Sequence, residues 1–231
     1  MERRDQSHGE WMEQKFGGNT DVNATVETVW DAGGAYSWQT AAESLEIVAE
    51  NAADQDIVVD VSGLDDVFGL QTKSVTTDGA DGTTPVAIPG TWSRVWRAKV
   101  TSGTTTGYLR VQVAGAGATR AQVEHGNYQT LMALSTVPAN FSCKMRDYWF
   151  TVTATKAVEV SLFARPFGEV FQLKHRASIV GDHRRFVFDP PLQFSEKTDF
   201  ELRCVSTAGA GAEVYGGYAL ELRDTTIWAP Q

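Results

Sequence analysis

At 231 residues with a net charge of −9, the chain is 42% hydrophobic and 21% charged, enough to bury one large β-sandwich or two small ones. No stretch approaches the ~20 apolar residues that cross a bilayer, and the polar opening Met1-Glu2-Arg3-Arg4-Asp5-Gln6 has no signal-peptide core, so the expectation is folding in the cytoplasm without a membrane partner. The acidic balance also argues against nucleic acid, whose phosphates require a concentrated basic face.

Taken in chain order, residues 1–15 are polar apart from Trp11 and Met12 and read as an N-terminal arm. Asp31-Ala-Gly-Gly34 is a turn, with Tyr36 and Trp38 at strand spacing beyond it. Residues 41–53 favour helix by composition, yet Leu45, Ile47 and Ala49 alternate with Glu46 and Glu50, and the flanks decide for a strand. Ile57–Val61, Trp92–Lys99 and Tyr108–Val113 follow, separated by the turn-rich Asp78–Gly82 and other Gly-containing loops. Ala114-Gly-Ala-Gly117 and the loop 124–128 are the natural place to divide the chain. Longer runs occupy Thr130–Val137, Phe141–Thr153, Val158–Leu162, Val170–Ile179, Arg185–Phe188, Phe200–Ser206 and Tyr215–Leu222. About a dozen short antiparallel strands and no βα alternation predict an all-β fold, a sandwich or jelly roll. The expected layout is an arm over 1–15, an acidic sandwich over 16–125 and a jelly-roll-like half over 126–231.

Charge is unevenly placed. Residues 16–90 hold thirteen acids and a single base, Lys73, whereas 91–231 hold sixteen bases and twelve acids. Such a split describes either two differently solvated surfaces or complementary ends that meet between neighbouring copies.

No nucleophile elbow, P-loop or dinucleotide fingerprint occurs. The four histidines, His8, His125, His175 and His183, have no metal-site spacing, and C-x-x-C is absent, so neither a transition metal nor a cofactor is expected. Asp54, Asp56, Asp60, Asp65, Asp66, Asp78 and Asp81 fall where turns are expected and match no EF-hand. Nothing marks a glycosidase pair, and no enzymatic role is expected. Cys143 and Cys204 sit in strand-like runs and read as buried free thiols.

One segment stands out. Between Phe163 and Arg185 lie Arg165-Pro-Phe-Gly168, Lys174-His-Arg176 and Asp182-His-Arg-Arg185. These read either as a charged outer strand face or as a surface for an acidic neighbour, with Arg165, Lys174, His175, Arg176, Arg184 and Arg185 as contacts. Trp92 and Trp96 are in phase for a core, while Trp11 and Trp228, near the two ends, are candidate partner anchors.

The segment Phe16-Gly-Gly-Asn-Thr-Asp-Val-Asn-Ala-Thr-Val-Glu-Thr-Val-Trp-Asp-Ala-Gly-Gly-Ala-Tyr-Ser-Trp38 resembles the opening of a structural protein family of tailed-phage virions, of the marine and cyanobacterial podovirus type. Gly63-Leu-Asp65, Thr136-Val-Pro-Ala139, Arg165-Pro-Phe-Gly168, Phe171 through Arg176 and Glu196-Lys-Thr-Asp199 continue the resemblance in order to about Leu222. Around Ala53–Ile57 the chain departs from the family, where a longer glycine-containing loop is expected. The resemblance implies a β-sandwich or jelly-roll virion component. The leading expectation is a capsid decoration (cement) protein, an oligomer and preferably a trimer, bound to the major capsid protein of a particle assembled in the host cytoplasm. A tail, baseplate or head-fibre subunit is the neighbouring alternative, and a carbohydrate-binding receptor module the more distant one.

Overall fold

The computed structural model describes residues 3–5, 9–153, 157–207 and 209–227. Seventeen strands and no helix occur among them. The chain begins with β1 (Arg3–Asp5), β2 (Glu10–Val22) and β3 (Glu27–Thr28). Seven strands follow: β4 (Glu43–Ala49), β5 (Val58–Leu64), β6 (Leu70–Thr76), β7 (Val86–Trp92), β8 (Arg94–Ser102), β9 (Leu109–Val113) and β10 (Thr119–Val123). The last seven are β11 (Leu134–Thr136), β12 (Phe141–Val152), β13 (Ala157–Arg165), β14 (Gln172–Val180), β15 (His183–Phe194), β16 (Asp199–Ser206) and β17 (Ala212–Asp224). Every pairing among the named strands is antiparallel. The all-β reading holds, including the strand at β4, where alternation of Leu45, Ile47 and Ala49 into a core outweighs local helix preference.

Two compact units divide the chain, one built from residues 1–35 and 133–231, the other from 36–132. In the first, one sheet runs β1-β2-β17-β12-β15 and the other β11-β16-β13-β14, with β3 added on β16. From β11 to β17 the chain changes sheets at every step but β13 to β14, the path of an eight-stranded jelly roll with β2 as its first strand. Alternate residues of β12, β13, β16 and β17 fill a single core in which Tyr148, Phe150, Phe200, Leu202 and Tyr218 are buried. Burying a Phe- or Leu-sized side chain stabilises by about 1.5–3 kcal/mol, so this layer carries the unit. Cys143 on β12 and Cys204 on β16 are buried free thiols in that core, and desolvation raises both pKa values well above the usual range.

The second unit has sheets β10-β9-β4-β7 and β6-β5-β8. Its core holds Leu45, Ile47, Val59, Val61, Ile88, Trp92, Trp96 and Leu109. Trp92 and Trp96 are buried as expected, but on different strands. The chain passes from β7 to β8 at Ser93, whose N–H donates to Leu64 O at 2.9 Å. Arg94 just beyond is buried, bonded to the carbonyls of Gln39 (3.0 Å) and Ser93 (2.6 Å).

The unit boundaries differ from the expected ones at 15 and 125. Residues Glu10–Val22 form a strand, paired along its length with β17 from Trp11↔Leu222 to Val22↔Ala212. Its pattern is inverted: Glu13 and Lys15 are buried while Met12 and Phe16 are exposed. The 36–132 unit is an insertion between β3 and β11, not a leading half. At its base Ala133 N–H donates to Val29 O (2.9 Å), Val29 N–H to Leu202 O (2.9 Å) and Leu202 N–H to Ala133 O (3.1 Å). Gly17 faces this junction, and a Cβ there would stand 2.3 Å from Val29 O and 2.4 Å from Ala133 N. With these boundaries the charge split dissolves. The jelly-roll unit holds eighteen acids and fourteen bases, the inserted unit eleven acids and six bases, so both are net negative.

Candidate interaction surface

β14 and β15 are consecutive in the chain, joined through Gly181 and Asp182, yet each ends a different sheet. Together they form one open side of the jelly roll, where nine- and twelve-residue strands each have a single hydrogen-bonded neighbour among the described residues. In a monomer such edges leave rows of backbone N–H and C=O groups available for pairing. Pro190 and Pro191 interrupt the far half of β15, where pairing with β12 jumps from Asp147↔Val187 to Met145↔Leu192. The half from His183 to Val187 has no such guard.

The expected contact residues fall mostly on or beside this side. Arg185 reaches Asp147 at 2.7 Å, which raises the pKa of its guanidinium, and Arg184 reaches Asp182 at 2.7 Å. Arg176 on β14 meets Glu159 at 3.2 Å, and Lys174 donates to Gln172 at 2.9 Å. Leu173 and Val180 on β14 are 45% and 55% exposed and Val187 on β15 is 67% exposed, so each edge strand carries apolar groups among its basic ones. His175 points the other way, between the sheets, sharing a hydrogen bond with Tyr148 and lying 4.8 Å from the Phe186 ring. Tyr148 also stacks on Phe186 at 5.0 Å, and burial raises its phenol pKa above the usual value of 10. This aromatic plug closes the gap between the sheet edges.

Arg165 is half-buried at the end of β13, bonded to Asp199 at 2.6 Å with its guanidinium 4.5 Å from the Phe171 ring. Trp11 packs its ring 4.5 Å from Phe141 and joins the core, so it is part of the sandwich. Trp228 lies outside the described residues.

Sequence reading missed three participants. Val187 looked like an ordinary strand residue, and only its place on an edge strand exposes it. Asp147 belongs to β12 and meets Arg185 through the β12–β15 register. Arg203 on β16 lies 4.3 Å from the Phe163 ring and 4.7 Å from that of Phe171, a relation that needs three strands to be placed. Alternation along β16 was the one available signal.

The acids of the inserted unit serve its turns. Asp65 accepts from Val67 N–H (3.0 Å) and Gly69 N–H (2.7 Å), Asp78 from Ala80 and Asp81 N–H (both 2.9 Å), and Asp81 from Thr83 N–H (2.9 Å). Among the described residues no group of three His, Cys, Asp or Glu side chains is arranged to hold a metal ion.

No protein-family model matches the chain, and no curated protein matches it. Among solved structures, it is similar to that of infectious bursal disease virus, Gx strain, at 8% identity and a TM-score of 0.23, over 94% of this chain and 77% of the other. T=1 particles derived from the same virus give 9% identity and a TM-score of 0.23, over 94% and 74% of the two chains. The likeness is distant, and the jelly-roll assignment rests on strand order alone.

Proposed function

We propose that the chain is a structural subunit of a virus particle, most simply a capsid decoration protein, that meets its neighbours through the open β14–β15 side. The observation that carries this reading is that side itself. It combines two unpaired strand edges, each with apolar and basic groups: Leu173, Val180 and Arg176 on β14, and Val187, Arg184 and Arg185 on β15. A protein working alone would gain from covering such an edge, whereas a subunit in a shell has it covered by its neighbour. The jelly roll agrees by analogy, since this fold is found among viral capsid proteins. The sequence resemblance points the same way. In this reading the acidic partner is the major capsid protein or a second copy, and the role is non-enzymatic.

The test is the protein content of purified particles together with binding to shells that lack the chain. Hundreds of copies per particle are expected for a decoration protein, and a few tens or fewer for a tail or fibre subunit. Val187→Glu places a negative charge opposite an acidic partner at an exposed position, and should weaken shell binding at least tenfold. Absence of the chain from particles overturns the virion role; undiminished binding by the Val187→Glu variant overturns the β14–β15 side as the contact.

A further inference from the structure

We propose that the free edge of β15 at Arg185–Val187 takes up an antiparallel β-strand from its virion partner. The added strand is an extended segment with acidic side chains opposite Arg184 and Arg185 and an apolar one opposite Val187. Strand addition rests on the β14–β15 contact proposed above and names the form the partner takes there.

The backbone fixes which groups are on offer. Val152 N–H donates to Asp182 O at 2.9 Å, and the register with β12 then runs unbroken from Thr151↔His183 to Asp147↔Val187. Hydrogen-bonded and non-bonded pairs alternate along an antiparallel ladder. Arg184 and Phe186 therefore turn their N–H and C=O groups to β12, while those of His183, Arg185 and Val187 point away from the sheet. Asp182 Oδ1 takes the His183 N–H at 2.7 Å. The N–H groups of Arg185 and Val187 and the carbonyls of all three residues are left along one extended edge. Bonding at Arg185 and Val187 in both directions is how an extended peptide joins a sheet.

Side chains decide which strand fits. Arg184, Arg185 and Val187 are all exposed. Each guanidinium meets one carboxylate at 2.7 Å, Asp182 for Arg184 and Asp147 for Arg185, and has further N–H groups for another. Adjacent acids on the added strand meet these cations from the open side. A second copy's own β15 fits poorly. Paired about Arg184 or Arg185, it sets two guanidiniums opposite each other. Paired about Phe186, it runs onto Asp189 and Pro190, where the β12 register is already interrupted. The cations that turn away an identical edge admit an acidic one.

The experiment follows amide hydrogen exchange in the isotope-labelled full chain, alone and with the peptide acetyl-Thr-Val-Thr-Glu-Glu-Thr-amide or its Lys-Lys counterpart. The Glu-Glu peptide should bind with a Kd on the order of 1 mM. It should slow exchange at Arg185 and Val187 at least threefold and leave Arg184 and Phe186, already bonded to β12, unchanged. The Lys-Lys peptide should bind at least tenfold more weakly. Val187→Pro removes an N–H that no internal pair uses, so it should keep the folded spectrum and weaken the Glu-Glu peptide at least fivefold, whereas Val187→Thr stays within about threefold. The alternation is read on the unsubstituted chain and stands even where Val187→Pro does not fold. Slowing without alternation, no slowing, equal binding of the Lys-Lys peptide, or unchanged affinity in a folded Val187→Pro overturns strand addition. Slowing in the free chain that grows with its own concentration overturns it in favour of β15–β15 pairing. On shells, a bound chain whose Arg185 and Val187 amides exchange as fast as in the free chain overturns strand addition and leaves the β14–β15 contact in place, so the two readings fail separately.

Discussion

Asp54 is wholly buried in the inserted unit, and its carboxylate accepts from the backbone N–H of Thr106 (2.5 Å) and Gly107 (2.9 Å) while its own carbonyl accepts from Thr77 Oγ1 (2.7 Å). It closes the loop at Asn51–Ile57 onto a segment fifty residues away. Replacement by Ala leaves two N–H groups without an acceptor, and Asp54→Ala should cost about 2–3 kcal/mol in urea unfolding. Tyr148 and Tyr218 report on the other core, where burial holds both phenols protonated above their usual 10. A folded pKa above the unfolded one gives a contribution that is complete below pH 10 and is lost as the pH rises through the folded value. Phenolate absorbance should therefore show these two tyrosines silent until the protein unfolds, whereas Tyr148→Phe removes one of the late-titrating groups. At this scale the sequence was readable as to type: the aspartates stood out as turn acids and the cysteines as buried thiols. Their partners were not, because Asp54 meets Thr106 only after the four strands between them have been placed.

β12 and β13 announce themselves through alternation, as Val158, Val160 and Leu162 against Glu159 and Ser161. β2 does the reverse, burying Glu13 and Lys15 and exposing Met12 and Phe16, which is why it reads as an arm. Its strand character is supplied by β17, against which it pairs, and by Gly17, which lets the backbone of Val29 and Ala133 approach. Gly17→Ala places a methyl group within 2.3 Å of a backbone oxygen. A loss of about 3 kcal/mol or more is expected, because backbone on both sides must move. Thermal unfolding would detect it, and an unchanged Tm would show that β2 can shift without cost. The basic segment singled out in the sequence proved to be an edge, but edge status depends on which strand lies beside which and has no local signature.

The insertion was the least legible feature. No change of composition marks residue 36 or 132, and the Gly/Ala run at 114–117 drew attention to an ordinary hairpin between β9 and β10. The hydrogen bond from Ala133 to Val29 shows instead that the inserted unit leaves and returns at one point. Two closely spaced ends are what allow one domain to be carried inside another. Replacing residues 36–132 by a short Gly/Ser linker should therefore yield a jelly roll that folds alone, and residues 36–132 should fold when expressed separately. Cooperative unfolding of each fragment, followed by circular dichroism, checks this; a fragment that melts without a transition would show that the two units depend on each other.

Pairing of Phe16 with Gly217 also sets an order of events during synthesis. The jelly roll needs β2 and β17 together, so β2 waits without its long partner until β17 has been made. The inserted unit has all of its strands much earlier and is free to fold first. For that interval the nascent chain carries a finished domain on an unfinished one. The polar residues that hid β2 in the sequence, Glu13 and Lys15 among them, keep the waiting strand soluble until β17 arrives.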